Sequence, residues 1–202
     1  MLYKDGMYFD FMKPGELVVD MEKYMTDMVE SFEGEKIKEK DTAPTPLAGD
    51  GFDVDESKLL EDKLKENFHT IVTKGLYACK RGRPDIHTAI AHLTTRVQER
   101  NENDLRKLVR LLKYINCTKS KKLRLSADDL RIIKWFVDTS FGVHPDFKSH
   151  TGGAMTYGRG APITVSKKQK LNTRSSTESE LVGADDMAIM SIWTKLFLEE
   201  QS

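Results

Sequence analysis

The spacing of apolar residues changes period several times along the chain, and each change marks an element. Residues 7–11 and 16–20 are β-rich, with Lys13-Pro14-Gly15 between them as a turn signal, so a short hairpin is predicted. Asp20 then stands where a helix cap belongs. Tyr24, Met25, Met28, Val29 and Phe32 follow at helical spacing over about 21–32. Residues 34–54 lose all apolar period. Charged residues give way to Thr42-Ala43-Pro44-Thr45-Pro46 and then Gly49-Asp50-Gly51, the composition of a linker or extended loop.

From about 56 to 117 the period is helical again. Phe68, Val72, Leu76 and Cys79 form one stripe, which Lys80-Arg81-Gly82-Arg83-Pro84 breaks. Asp85 opens a second helix with Ile86, Ile90, Leu93 and Val97. A third, from about Asn103, carries Leu105, Leu108, Leu111, Leu112 and Ile115. Three consecutive amphipathic helices imply a bundle. After Thr118 the pattern turns strand-like. Leu123-Arg124-Leu125 is short, and residues 131–138 are a β-branched and aromatic run suited to a sheet interior. Residues 152–158 and 161–166 read as a hairpin joined around Arg159-Gly160, and a long apolar helix follows over about 177–200. The expected fold class is α+β: a hairpin and helix, a helical bundle, then a three-stranded sheet covered by one long helix.

Composition adds little until charge is resolved by region. Of 202 residues, 32 are Lys or Arg and 32 Asp or Glu, a net of zero. Residues 1–56 hold 6 basic against 15 acidic residues, whereas residues 57–125 hold 17 against 7. A basic middle segment suits either a nucleic-acid surface or a solvated helical face. No stretch approaches the roughly 18 apolar residues of a membrane span, and Lys4, Asp5 and Asp10 argue against a signal peptide at the start. Cys79 and Cys117, without a C-x-x-C partner, read as core thiols in a reducing compartment.

Candidate chemistry lies in the last third. Four segments occur in order: Trp135-Phe136-Val137-Asp138, then Asp146-Phe147-Lys148-Ser149-His150-Thr151-Gly152-Gly153, Ser166-Lys167-Lys168-Gln169-Lys170, and Ser175-Ser176-Thr177-Glu178-Ser179-Glu180-Leu181-Val182. Together they resemble the ribonuclease H region of copia-type retroelements. Upstream, Arg83-Pro84-Asp85-Ile86 and residues 104–115 resemble the helices that precede it in that family, and Thr45-Pro46 its linker. The resemblance divides the chain into 1–55, the end of a reverse transcriptase palm, thumb start and linker; 56–120, a helical thumb- or connection-like segment; and 121–202, a truncated ribonuclease H-like domain.

The activity so implied is RNA-templated DNA synthesis and Mg2+-dependent cleavage of RNA in RNA–DNA hybrids, carried out by a parent polyprotein. Such cleavage uses two Mg2+ ions about 4 Å apart, held by converging carboxylates. Asp138, at the end of its β run, matches the first ligand and lies on a different face from Val137. Glu180 matches the second, with Glu178 as the near alternative. Ser175-x-x-Glu178 and Thr177-x-x-Glu180 both also fit a capping box, which has no catalytic role. The third carboxylate of the family belongs on a strand after this helix, in an aspartate–asparagine pair, and the sequence ends at Ser202 before it. The resemblance therefore leads to the expectation of an inactive fragment with weak or absent Mg2+ binding.

The expected partners are an RNA–DNA hybrid or template–primer duplex and other parts of the polyprotein, with no membrane. Location would be intracellular, in a cytoplasmic virus-like particle or the nucleus. Lys167, Lys168 and Lys170 suit phosphate contact, as do Lys80, Arg81 and Arg83. The bland alternatives are a solvated lysine cluster and a simple helix connection. His144 and His150, among five scattered histidines, are expected to be structural or exposed. Gly183-Ala184-Asp185-Asp186 and Ala127-Asp128-Asp129-Leu130 lack the aromatic lead of a polymerase Tyr-x-Asp-Asp site. The rival to the enzyme fragment is a non-catalytic nucleic-acid-binding remnant of a decayed element.

Overall fold

The computed structural model of the chain describes residues 2–201. Strands β1 (Leu2–Lys4), β2 (Met7–Asp10) and β3 (Glu16–Asp20) form an antiparallel meander. Asp20 closes β3, and its carboxylate accepts the Glu22 amide at 2.8 Å, so one side chain ends the strand and opens α1 (Glu22–Glu30). Three further helices follow: α2 (Asp62–Cys79), α3 (His87–Thr95) after a 3-10 turn at Pro84–Ile86, and α4 (Glu102–Thr118). Helix α4 starts on a reciprocal capping box. Asn101 accepts the Asp104 amide and Asp104 accepts the Asn101 amide, an arrangement worth about 1 kcal/mol.

The apolar stripes read from the sequence meet in one core. Met25 and Met28 of α1, Phe68, Ile71 and Val72 of α2, Ile90 and Leu93 of α3, and Leu108, Leu111, Leu112 and Ile115 of α4 are all buried together. Each contributes roughly 1.5–3 kcal/mol by leaving water. Strand β4 (Leu123–Ala127) then returns to β3, with Leu17 opposite Leu125 and Val19 opposite Leu123. The amino-terminal sheet is thus completed by a strand from beyond the bundle.

The second sheet is antiparallel, in the order β5-β6-β8, from β5 (Lys134–Ser140), β6 (His150–Thr156) and β8 (Ile163–Lys168). The tip of the β6–β8 hairpin is more than a turn. Its residues Gly158–Arg159 form β7, which pairs with β4 and ties the two sheets together. Helix α5 (Ser176–Glu199) lies on β5 and β6. The α+β class, and the three strands with one long helix at its end, are as the sequence pattern predicts.

Three expectations change or sharpen. Residues 131–138 have the composition of a sheet interior, but β5 is an edge strand, paired only with β6 among the described residues. Residues 34–54 form no helix or strand, as a linker or extended loop would not, and they are packed down as a strap. Asn116 Nδ2 donates to the carbonyls of Lys38, Glu39 and Asp41, Arg110 donates to Thr45, and Ala43 is buried. Cys79 is a core thiol, pushed up to about 12 by burial, whereas Cys117 is exposed, and both are free.

Candidate functional site

The start of α5 is fixed by its own side chains. Ser175 Oγ accepts the Glu178 amide at 3.2 Å, and Glu178 Oε2 accepts the Arg174 amide at 2.7 Å. Glu178 is therefore used in capping, the role its spacing allowed. Glu180 is exposed and takes no part in the cap. The residue between them, Ser179, is fully buried, and its hydroxyl donates to Thr139 of β5 at 3.0 Å.

A second tie comes from Gln169, which is 2% exposed. Its amide nitrogen donates to Thr151 Oγ1 of β6 at 3.0 Å and to the Ser179 carbonyl at 2.9 Å. The motif containing Gln169 is visible in the sequence, but its role as a bracket between sheet and helix is not. One turn on, Gly183 allows close approach: a Cβ there would lie 2.5 Å from Thr139 Cγ2 and 3.5 Å from Val137 Cγ1.

These contacts set Val137 and Thr139 on the face of β5 that meets α5, so Asp138 lies on the other face by strand alternation. Asp138 is exposed, and its Oδ1 accepts the Thr139 amide at 2.9 Å. Asp138 and Glu180 thus each stand one residue from the Thr139–Ser179 hydrogen bond. Among the described residues, no group of three or more His, Cys, Asp or Glu side chains is placed to hold a metal ion. Two exposed carboxylates do not by themselves make a Mg2+ centre. Asp186, nearly three turns into α5, is committed elsewhere: it pairs with Lys167 at 2.8 Å and accepts from Thr151 at 3.3 Å. Asp128 and Asp129 pair with Lys134 and Arg131.

The basic candidates separate. Arg83 is corrected outright: it is 1% exposed, with Nε and Nη2 on the Asp85 carboxylate at 2.9 and 2.8 Å and Nη2 also on Thr118. Its Nη1 has no hydrogen-bond partner but is buried, so burial closes the guanidinium to a phosphate. Burial raises the Asp85 carboxyl, but the Arg83 hydrogen bonds and charge outweigh it and hold it below the ordinary value. Arg81 is exposed, its guanidinium 5.2 Å from the Tyr77 ring centre. Lys170 is exposed beyond β8.

Lys80, at the end of α2, meets β8 across a cleft of about 220 Å3 lined also by His87, His150 and Lys168. Lys168 lies on the α3 face of β8 and pairs with Asp146 at 2.8 Å; Lys167 points to the opposite face. Two basic groups that are far apart in sequence therefore border one cleft.

The histidines are the feature the sequence did not disclose. His87, His92, His144 and His150 are all buried where α3 packs on β8. His144 Nε2 lies 3.1 Å from His150 Nδ1, His150 Nε2 is 2.7 Å from Ser166 Oγ, and His87 Nδ1 is 2.9 Å from Thr164 Oγ1. Phe52, from the strap, packs its ring 5.0–5.5 Å from His92, His144 and His150. Burial, with neighbouring positive charge, lowers His87 to about 4, His150 to about 4 and His92 to about 3. They are neutral near pH 7 and act as packing. No spacing signal could have found them, since they come from a helix, a loop and a strand.

No protein-family model matches the chain, and no solved structure does. A curated Saccharomyces cerevisiae protein, described as a transposon Ty5-1 protein, is 30% identical over 121 residues. That similarity supports a transposon origin. The aligned stretch is 59% of this chain and 39% of the yeast protein, so the chain spans well under half the length of its relative. No helix among the described residues is long and apolar enough to cross a membrane.

Proposed function

We propose that this chain is part of a copia-type retroelement polyprotein, contributing a helical thumb- or connection-like segment and a portion of a ribonuclease H domain. The observation that carries the reading is the docking of two motif segments on each other: the strand bearing Asp138 and the helix bearing Glu180 are joined by the Thr139–Ser179 hydrogen bond and braced by Gln169. The similarity to a transposon protein supports it. The resemblance, rather than a contact between them, assigns Asp138 and Glu180 as two carboxylates of a Mg2+ site, since Asp138 lies on the face of β5 away from α5. The described residues do not complete that site, and no chemical step is assigned to this chain alone. RNA-templated synthesis and hybrid cleavage belong, in this reading, to the parent protein, in an intracellular particle or the nucleus.

The nucleic-acid face is assigned to the cleft between α2–α3 and β8, with Lys80 and Lys168 on the phosphate backbone and Lys170 and Arg81 as outlying charges. Binding of fluorescent RNA–DNA hybrid and of double-stranded DNA of equal length, followed by anisotropy, tests this. Binding of the hybrid that Lys80→Glu and Lys168→Glu each weaken supports it; absence of binding at low salt contradicts it.

One observation favours a second reading. With no group of three or more metal-ligating side chains among the described residues, the chain also fits a non-catalytic nucleic-acid-binding remnant. Hybrid cleavage by a longer in-frame protein, abolished by Asp138→Asn, separates the enzyme part from the remnant.

A further inference from the structure

The strap over α4 has no part in the functional reading, yet it carries a chemically distinctive pair. Thr45-Pro46 is the one place in the chain where a serine or threonine precedes proline. Thr45 is exposed, in a segment without helix or strand. Proline at 46 offers no amide to a partner, which restricts the segment to enzymes that accept proline directly after the target hydroxyl.

The structure around Thr45 is arranged for an anion. Thr45 Oγ1 accepts from Arg110 Nη2 at 2.9 Å and donates its own proton to the Leu47 carbonyl at 2.8 Å. Arg110 Nε, in the same planar fork, is buried and has no hydrogen-bond partner. The hydroxyl oxygen meets one arm of that fork, whereas a phosphate brings three acceptor oxygens and can meet both. Arg106 and Lys113 stand about one turn to either side of Arg110 on α4, and all three line a hollow of about 490 Å3 under Thr42 and Pro44. Lys113 makes no ion pair among the described residues, and Arg106 reaches Asp55 only at 3.5 Å. Glu35 is the one carboxylate in the lining, so three cations face one anion there.

We infer that Thr45 is a phosphorylation site, and that Arg110, with Arg106 and Lys113 beside it, holds the phosphate and fastens the strap to α4. The Thr45 hydroxyl oxygen attacks the terminal phosphorus of a nucleoside triphosphate held by a proline-directed protein kinase. The bond from that phosphorus to its bridging oxygen breaks, the hydroxyl proton passes to the kinase's base, and the nucleoside diphosphate leaves. One neutral hydrogen bond, to the Leu47 carbonyl, is exchanged for charge-assisted bonds about twice as strong. None of the residues assigned above to Mg2+ or nucleic acid takes part.

Incubating the whole chain with a nucleoside triphosphate and purified proline-directed kinases, followed by peptide mass spectrometry, tests the site. Hydrogen exchange and a phosphorus magnetic-resonance titration of the product test the fastening. One phosphate is expected, on Thr45, and none on Thr45→Val. Strap amides around residue 45 should then exchange about tenfold more slowly, and the phosphate should titrate below its ordinary second pKa of about 6. Arg110→Gln should still be phosphorylated, with an unchanged far-ultraviolet dichroism spectrum, but lose both effects. A folded chain that the kinases leave unmodified at Thr45 overturns the inference. So does a phosphothreonine whose strap exchange and titration match those of Arg110→Gln, because the phosphate then hangs free in solvent.

Discussion

Ser179 Oγ donates to Thr139 Oγ1 at 3.0 Å, across forty positions of sequence, and this bond fixes where α5 begins on the sheet. Each partner is flanked by a candidate metal ligand, Asp138 on the strand and Glu180 on the helix. The relative position of the two carboxylates is therefore set by a packed, buried contact and not by the carboxylates themselves.

Loosening that contact should cost stability in proportion to what is removed. Ser179→Ala loses about 1 kcal/mol, the net value of a hydrogen bond, and Gln169→Ala about 2 kcal/mol, because it removes two buried hydrogen bonds, to Thr151 and to the Ser179 carbonyl. Gly183→Leu, which forces a side chain against Thr139, should cost about 2–3 kcal/mol. Urea unfolding monitored by tryptophan fluorescence measures all three. Equal, negligible effects would contradict the docking described.

Arg83 and Arg81, two residues apart, should behave oppositely. Arg83→Ala takes the guanidinium from the Asp85 carboxylate, which keeps only the Tyr114 hydroxyl, and the expected loss is about 3 kcal/mol. Arg81→Ala removes an exposed contact with Tyr77 worth at most about 1 kcal/mol. Thermal denaturation of the two variants decides the matter. A mild Arg83→Ala and a severe Arg81→Ala would invert the assignment.

Acid should separate the carboxy-terminal sheet from the helices. His87, His92 and His150 have folded pKa values below their ordinary 6.5, so the unfolded chain binds more protons. Their stabilising effect is complete above about pH 6.5 and is lost as pH falls towards 4 for His87 and His150 and 3 for His92. Between about pH 6.5 and 5 ordinary carboxylates are still ionised, so a decline there belongs to the histidines. Unfolding free energy against pH should slope downward in this window, and His150→Gln should flatten it. A level curve would show that the cluster is hydrated.

Which parts of this are legible in the sequence follows from the range of the forces involved. Amphipathic stripes such as Leu108, Leu111, Leu112 and Ile115 declare a helix and its buried face, because their period is local. Ser175-x-x-Glu178 declares a cap for the same reason. Arg83 misleads because charge in a sequence says nothing of burial, even though its partner Asp85 is only two residues on. The apolar run before Asp138 suggests a central strand, but edge or centre is decided by strand order, which is a non-local property. The strap at 34–54 has no period since it packs through scattered groups, and the histidine cluster is assembled entirely by tertiary packing.

The cleft makes a quantitative claim about salt. Every duplex phosphate that a side chain neutralises steepens the dependence of log affinity on log salt by about 0.9. Lys80→Ala and Lys168→Ala should each make that dependence shallower by about this amount, and the double variant by about twice as much. Lys167→Ala, whose partner is Asp186 on the opposite face, should change it little. Equal effects of all three would mean diffuse attraction rather than a defined groove.

The central claim is that Asp138 and Glu180 contribute to one cation site. Its most direct measurement is titration of the isotopically labelled chain with Mn2+, a paramagnetic substitute for Mg2+, reading the loss of amide signals by nuclear magnetic resonance. The account predicts weak binding, with broadening centred on the residues around Asp138 in β5 and Glu180 near the start of α5 together, and its disappearance in both Asp138→Asn and Glu180→Gln. Broadening centred elsewhere, or broadening at this site that survives either substitution, would contradict it.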